Sequence, residues 1–289
     1  MPPPPPPDRP VARALAAATR TVGGFEVVAL LDGAGPFTLV EEPTQAFPGA
    51  TPGDWQAARR LDPAAFAPGG EWVLSFRCYA VRRPGGRTVL VDAGIGPHGS
   101  LASSWAPVPG RLPGALAAAG IDVDDVDQVV LTHLHGDHVG WAVEGDGTPR
   151  FPGARYVVQR AEIAALGAEA PARVQVVEPL RRHGQLHEVE GRAQVAGAPA
   201  GRVRVVPTPG HTVGHQSVVV EGGGDEVVLA GDVLVHAVQV VDPDVPYALE
   251  HDRDEARRTR RALLAGAARR RALVGTAHLT APFVELAAP

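Results

Sequence analysis

Thr132-His133-Leu134-His135-Gly136-Asp137-His138-Val139-Gly140 is the stretch on which the reading of this chain turns. It packs three imidazoles and a carboxylate into consecutive short steps, the donor set that zinc prefers, with room left for a water. The apolar, β-branched run 126–131 leads directly into it, so the cluster stands at a strand end. Residues two apart on an extended chain face the same way, which lets His133 and His135 share one ion. Gly136 then allows a tight turn that aims Asp137 and His138 at a second ion. The competing reading is a solvated histidine-rich loop; apolar Leu134 and Val139 between the polar residues, and the buried strand before them, argue against it.

Working outward, further chemistry-bearing residues stand in short turns: Asp92-Ala93-Gly94, Thr208-Pro209-Gly210-His211-Thr212, Ala230-Gly231-Asp232 and Gly275-Thr276-Ala277-His278. With the histidine cluster they resemble, in order, the HxHxDH signature and later landmarks of the metallo-β-lactamase superfamily, over most of the chain from about Phe25. The resemblance implies an α+β fold, a four-layer αββα sandwich with metals at one sheet edge. It implies that His133, His135 and His211 hold one metal, that Asp137, His138 and His278 hold another, and that Asp232 bridges them. Asp137 and Asp232 would be the catalytic carboxylates, and Asp92 would support the ligands from behind. The implied cofactors are two divalent ions, zinc first, with manganese or iron as alternatives.

Two such ions lower the pKa of a bridging water, and the hydroxide attacks a carbonyl or phosphoryl centre. A binuclear hydrolase of an ester-type bond is therefore expected, acting on a lactone, a carboxylic ester or a phosphotriester. Asp232 resembles the bridging carboxylate of lactonases, phosphotriesterases and thioester hydrolases rather than the antibiotic-destroying members. His135 stands where oxygen-reducing diiron relatives generally carry glutamate. Residues 232–240, Asp242-Pro243, the helix after Asp252 and Ala277-His278-Leu279 resemble the methyl parathion hydrolase and lactonase branch. In homoserine-lactone-cleaving members a tyrosine closely follows the bridging aspartate; here Val235 occupies that region and the nearest tyrosine is Tyr247. The alternative is a thioester hydrolase of the hydroxyacylglutathione hydrolase type, which needs a basic site. With no lysine in the chain, arginines such as Arg82, Arg83 or Arg181 would supply it. A non-catalytic metal-bearing binding module is a third class, and seven complete ligands argue against it.

Composition bounds the remainder. The net charge is −5 with no basic stripe, so a small-molecule substrate is expected and nucleic acid is not. The absence of lysine and asparagine excludes a lysine Schiff base and Asn-linked glycosylation. Cys78, the one cysteine, reads as a buried strand thiol, and no intrachain disulfide can form. No secretory signal core and no bilayer-spanning run are found, giving the expectation of a cytoplasmic protein without a membrane partner. Residues 1–20 read as a flexible Pro/Ala-rich tail whose Pro2 to Pro7 run favours solvated polyproline II, and residues 21–289 as the hydrolase domain.

Strands are expected over 25–31, 72–81, 88–91, 126–131, 155–158, 202–206 and 272–275, with a hairpin of 217–220 and 227–229. Helices are expected over 111–119 and 161–166, and from an Asp252 N-cap to about 269. Residues 36–70 read as a long surface loop with one short helix, carrying Phe37, Phe47, Trp55 and Phe66. That loop is expected to wall the substrate pocket through Trp55 and Phe47; the alternative is that the rings pin it to the sandwich or to a second subunit of a homodimer. His215 is expected to support the fold rather than to bind metal, with a role behind the metal ligands as the alternative; His98 and His236, just after landmark motifs, have pocket lining only as their lesser alternative, and His183, His187 and His251 are expected at the surface.

Overall fold

The computed structural model describes residues 12–15, 18–40, 42–199 and 201–287. The strands are β1 Ala12–Leu15, β2 Thr19–Val22, β3 Phe25–Pro36, β4 Val73–Arg82, β5 Thr88–Val91, β6 Val126–Val130 and β7 Arg155–Gln159. They continue with β8 Leu186–Val189, β9 Ala193–Ala198, β10 Gly201–Pro207, β11 Gln216–Gly222, β12 Asp225–Leu229, β13 Leu273–Gly275 and β14 Phe283–Leu286. The helices are α1 Pro43–Ala46, α2 Pro52–Leu61, α3 Leu112–Ala118, α4 Gly136–Val139, α5 Arg160–Ala165, α6 Glu178–Arg182, α7 Ala237–Val241 and α8 Arg253–Arg270. One sheet runs β2-β3-β4-β5-β6-β7-β8 and the other β1-β14-β13-β12-β11-β10-β9, among the described residues.

Period-two alternation explains how two sheets make four layers. Tyr79 and Val81 of β4 face Val203, Val218, Val227 and Phe283 between the sheets, whereas Cys78 and Ala80 face outward to Leu112, Leu116 and Ile163 of the helical layer. In the other sheet Val227 and Leu229 point inward, and Val228 points out toward Leu264 and Ala267 of α8. This is the αββα sandwich. Asp252 caps α8 by accepting from the Glu255 amide at 2.9 Å, as the sequence indicates. Cys78 is buried, and that burial pushes its thiol pKa well up, so it is an inert core residue. No helix among the described residues is long and apolar enough to cross a membrane.

Strand direction places the functional edge. β5, β6 and β7 run parallel, as do β12 and β13, so the turns after β5, β6, β12 and β13 open at carboxyl ends. Those turns carry Asp92, the histidine cluster, Asp232 and His278.

Two expectations change. Of the tail expected over 1–20, residues 1–11 and 16–17, including the proline run, lie outside the described residues, but Ala12–Leu15 is a strand paired with β14. The exposed edge position lets Arg13 reach Glu285 of the neighbouring strand at 2.7 Å. Residues 36–70 are not a surface loop. They hold α1 and α2, the latter closed at its start by a Thr51–Asp54 capping box, and Phe37 and Phe47 are buried in the core beside α8. Phe47 stacks on Tyr247 with ring centroids 5.3 Å apart, and both Phe47 and Trp55 pack against His236.

Candidate metal centre

β6 delivers Thr132 and His133 to the edge, and α4 begins immediately at Gly136, so the cluster passes from strand to helix rather than through the tight turn expected. Gly136 is required for closeness and not for a left-handed backbone: a Cβ there would lie 2.8 Å from the Leu101 carbonyl carbon. His133 Nε2 and His135 Nδ1 stand 2.9 Å apart, and His211 Nε2 lies 3.0 Å from the same His135 nitrogen. Asp232 Oδ2 is 3.2 Å from His211 Nε2 and 3.9 Å from His133 Nε2. Its other oxygen, Oδ1, is 3.2 Å from His138 Nε2 and 3.1 Å from His278 Nε2. Asp137 Oδ2 completes that second side, 3.4 Å from His138 and 3.5 Å from His278. Thus two groups able to hold a cation form, His133, His135, His211 and Asp232, and Asp137, His138 and His278. Asp232 has one oxygen toward each.

The ring tautomers are set from behind, by assignment from partners. His138 Nδ1 donates to Asp92 Oδ2 at 2.8 Å, and His278 Nδ1 donates to the Ser75 carbonyl at 2.8 Å, which frees both Nε2 lone pairs toward the centre. Thr132 donates its hydroxyl to Asp92 and accepts from His133 Nδ1, freeing His133 Nε2 likewise. Asp92 sits at φ 63, an uncommon conformation for a residue with a side chain, and its oxygens take the Thr132 amide, the Thr132 hydroxyl and His138. His215, fully buried, accepts the Asp232 amide at Nε2, at 3.0 Å. Its support is thus exerted on the Asp232 backbone.

These residues suit a cation on their own chemistry. His138 Nε2 and Asp232 Oδ1 are buried and close, yet neither has a hydrogen-bond partner. Burial, then the nearby imidazoles His138 and His135, hold the His133 pKa well down; burial does the same for His211, so both present neutral nitrogens. Burial would also lower His138, but Asp232, Asp137 and Asp92 outweigh it and raise its pKa well above the ordinary value. Against a burial penalty that acts the other way, His278, His138 and His211 hold the Asp232 carboxyl well below the carboxylate range. Buried carboxylates in such a setting call for compensating positive charge.

A pocket of about 260 Å³ opens over the cluster, reached by His135, Asp137, His211, Asp232 and His278. Its walls are Phe37, Leu39, Trp72, Trp105, Val235 and Leu249, with Tyr247 stacked nearly parallel to His211 at 6.2 Å. Phe47 and Trp55 do not line it. They lie behind the wall, holding Trp72, Tyr247 and His236. His236 is enclosed by rings and caps α7, and burial, then the charge of Arg59, lowers its pKa to about 3; His98 is exposed and also outside the pocket. His183, His187 and His251 are exposed. Sequence reasoning missed Leu39, Trp105, Leu249 and the carboxylate of Glu162, which touches both histidine loops. None of these stands in a motif.

A family model described as the metallo-beta-lactamase superfamily matches residues 77–278, more than half of the chain. Over 139 residues the chain is 30% identical to the N-acyl homoserine lactonase AiiA of Bacillus thuringiensis subsp. kurstaki, covering 48% of this chain and 50% of that protein. Over 142 residues it is 32% identical to a hydroxyacylglutathione hydrolase of Rhodopseudomonas palustris (strain BisA53), covering 47% and 44%. The chain thus spans about half the length of the curated relatives it matches. Among solved structures, AidC, a dizinc quorum-quenching lactonase in complex with a product, superposes with a TM-score of 0.70 at 19% identity, covering 94% of this chain and 92% of that one. At that identity the likeness is one of fold.

Proposed function

The chain belongs to the metallo-beta-lactamase superfamily, and on that premise we propose that it is a two-metal hydrolase of neutral, apolar esters: a lactone, a carboxylic ester or a phosphotriester. The observation that carries this reading is a pocket walled by rings and aliphatic chains directly over a His/Asp cluster, with no arginine among the described residues that line it. His133, His135 and His211 would hold one ion, Asp137, His138 and His278 the other, and Asp232 would lie between them; zinc is the first candidate. Ions held there supply Lewis acidity toward the scissile oxygen and bring the pKa of a water toward neutrality.

The chain's own groups have separate tasks. Asp92 and the Ser75 carbonyl keep His138 and His278 in the tautomer that faces the centre. The apolar wall excludes water and seats an uncharged acyl or aryl group. Tyr247 makes no side-chain hydrogen bond among the described residues; burial, then the charges of Asp232 and Asp137, push its phenol pKa up, so it stays an O–H donor for a substrate oxygen.

A glutathione thioesterase is the second reading, favoured by the relative at 32% identity. Glutathione carries two carboxylates and needs cationic partners. Arg82 pairs with Glu26, Arg83 with Asp127, and Arg181 with Glu178 and Glu188, none of them among the pocket lining. The test is elemental analysis joined to a panel of lactones, aryl esters, phosphotriesters and a glutathione thioester. Two ions per chain and a kcat/KM at least about tenfold higher on a neutral ester than on the thioester are expected. The reverse order supports the thioesterase, and a two-ion protein that turns over none of them is a binding module.

A further inference from the structure

Glu162 lies outside every motif that marks the metal edge, yet it joins the two segments that carry the three-histidine group. It is the third residue of α5 and is 4% exposed. Its Oε1 accepts from the Leu134 amide at 3.1 Å, between His133 and His135. Its Oε2 accepts the Thr212 hydroxyl at 2.7 Å and the Gly214 amide at 2.9 Å, in the loop that follows His211. Three donors from two distant segments therefore meet on one carboxylate, a group that accepts at both oxygens and donates at neither. The fit is close. A Cβ on Gly214 would stand 2.1 Å from the Glu162 backbone nitrogen and 2.5 Å from its Cα, so only glycine lets this loop reach α5. Glu162 makes no hydrogen bond to α4, which carries Asp137 and His138, or to the turn of His278; the supports there are Asp92 and the Ser75 carbonyl.

We propose that Glu162 is the positioning residue of the three-histidine site. By clamping the strand end that bears His133 and His135 to the loop that bears His211, it fixes the spacing at which three imidazoles receive one ion. The inference rests on reading the cluster as a two-ion centre. With the clamp cut the imidazoles keep their chemistry but must be ordered by the ion itself, which weakens binding at that site and spares the other.

Chelator-stripped protein titrated with zinc by calorimetry, and with cobalt by absorption, tests this. Wild type takes up two ions. Glu162→Gln, which sets an N–H against one of the three donors, is expected to weaken one ion about 10–100-fold and the other less than about twofold. In a His278→Ala background, which cripples the other group, the ion that remains is the one weakened. The melting temperature of metal-free Glu162→Gln is expected to stay close to that of metal-free wild type. A clamp that serves only the fold would lower the metal-free and metal-loaded melting temperatures alike and leave both affinities as they were; that result, or equal weakening of both ions, overturns the proposal. Thr212→Ala removes one donor from a half-buried position and is expected to weaken the same ion by a smaller factor. If Glu162→Gln does not fold, Thr212→Ala decides, and unchanged affinities there also overturn it. Wild type that binds no ion at all refutes the two-ion reading and the clamp with it.

Discussion

The His/Asp edge and the pocket wall of this molecule lie against each other but are built by different means. The edge takes its residues from the turns after β6, β10, β12 and β13, and holds four of them with a hydrogen bond from behind: Thr132 to His133, Asp92 to His138, Ser75 to His278, His215 to the Asp232 amide. The wall takes Phe37 and Leu39 from the segment after β3, Trp105 from the stretch before α3, and Tyr247 and Leu249 from the loop before α8. Rings hold it, together with one buried ion pair. Arg260 of α8, fully buried, donates to the carbonyls of Pro243, Val233 and Val245 and to Glu250 at 2.7 Å, and Glu250 in turn accepts the Tyr247 amide. The difference teaches that chemistry and shape are carried by separate parts of the chain, so each can be damaged alone.

The sharpest break is at the edge. Asp232→Ala removes the carboxylate that faces both groups, and activity is expected to fall by more than about 10³-fold, with metal content reduced. His215→Ala leaves that carboxylate in place and loses only the bond to its backbone, so a fall of about 10–100-fold is expected. Steady-state kinetics at measured metal content decide between them. Equal rates for the two variants would mean that Asp232 does not bridge.

At the wall the expected loss is of stability. Arg260→Ala leaves Glu250 buried without its partner and should cost about 3–5 kcal/mol. Phe47→Ala, which opens a hole beneath Tyr247 and Trp72, should cost a similar ~3–5 kcal/mol. Both variants should still bind the same number of ions as wild type. Urea unfolding with parallel metal analysis measures the two quantities, and loss of an ion with stability intact would erase the distinction between edge and wall.

The same distinction governs what could be read from the sequence. The clustering of the edge was legible because each of its His and Asp residues sits beside a glycine or at a strand end within a few residues, so local spacing and a strand pattern suffice: β6 runs straight into His133, and Gly231 precedes Asp232. The wall was legible only as a segment: residues 36–70 do contribute Phe37 and Leu39 to the pocket, but Phe47 and Trp55, the residues expected to line it, lie behind. Phe47, Trp55 and Phe66 have no period, and nothing local says that Phe47 meets Tyr247 across the sequence. Arg260 stands in an arginine-rich helix with nothing in the pattern to single it out, and only the fold shows that this arginine is wholly buried. Ala12–Leu15 was missed because a four-residue edge strand has too few residues to show alternation.

The smallest effect tests the wall where it meets substrate rather than where it meets the core. Leu39 lines the pocket but is 50% exposed, so its removal leaves little unfilled space and should change the melting temperature slightly. A half-exposed leucine has roughly 1 kcal/mol of apolar contact to give a bound acyl or aryl group. Leu39→Ala is therefore expected to shift the kcat/KM ratio between a long-chain and a short-chain ester by about three- to tenfold, at unchanged ion content. Phe47→Ala, behind the wall, should leave that ratio within about twofold even as it lowers stability. Competition assays with paired substrates, run well below the melting temperature of both variants, measure the ratio directly. A shift in Phe47→Ala and none in Leu39→Ala would place the substrate on the other side of Trp72, and the apolar-ester reading of this pocket would have to be abandoned.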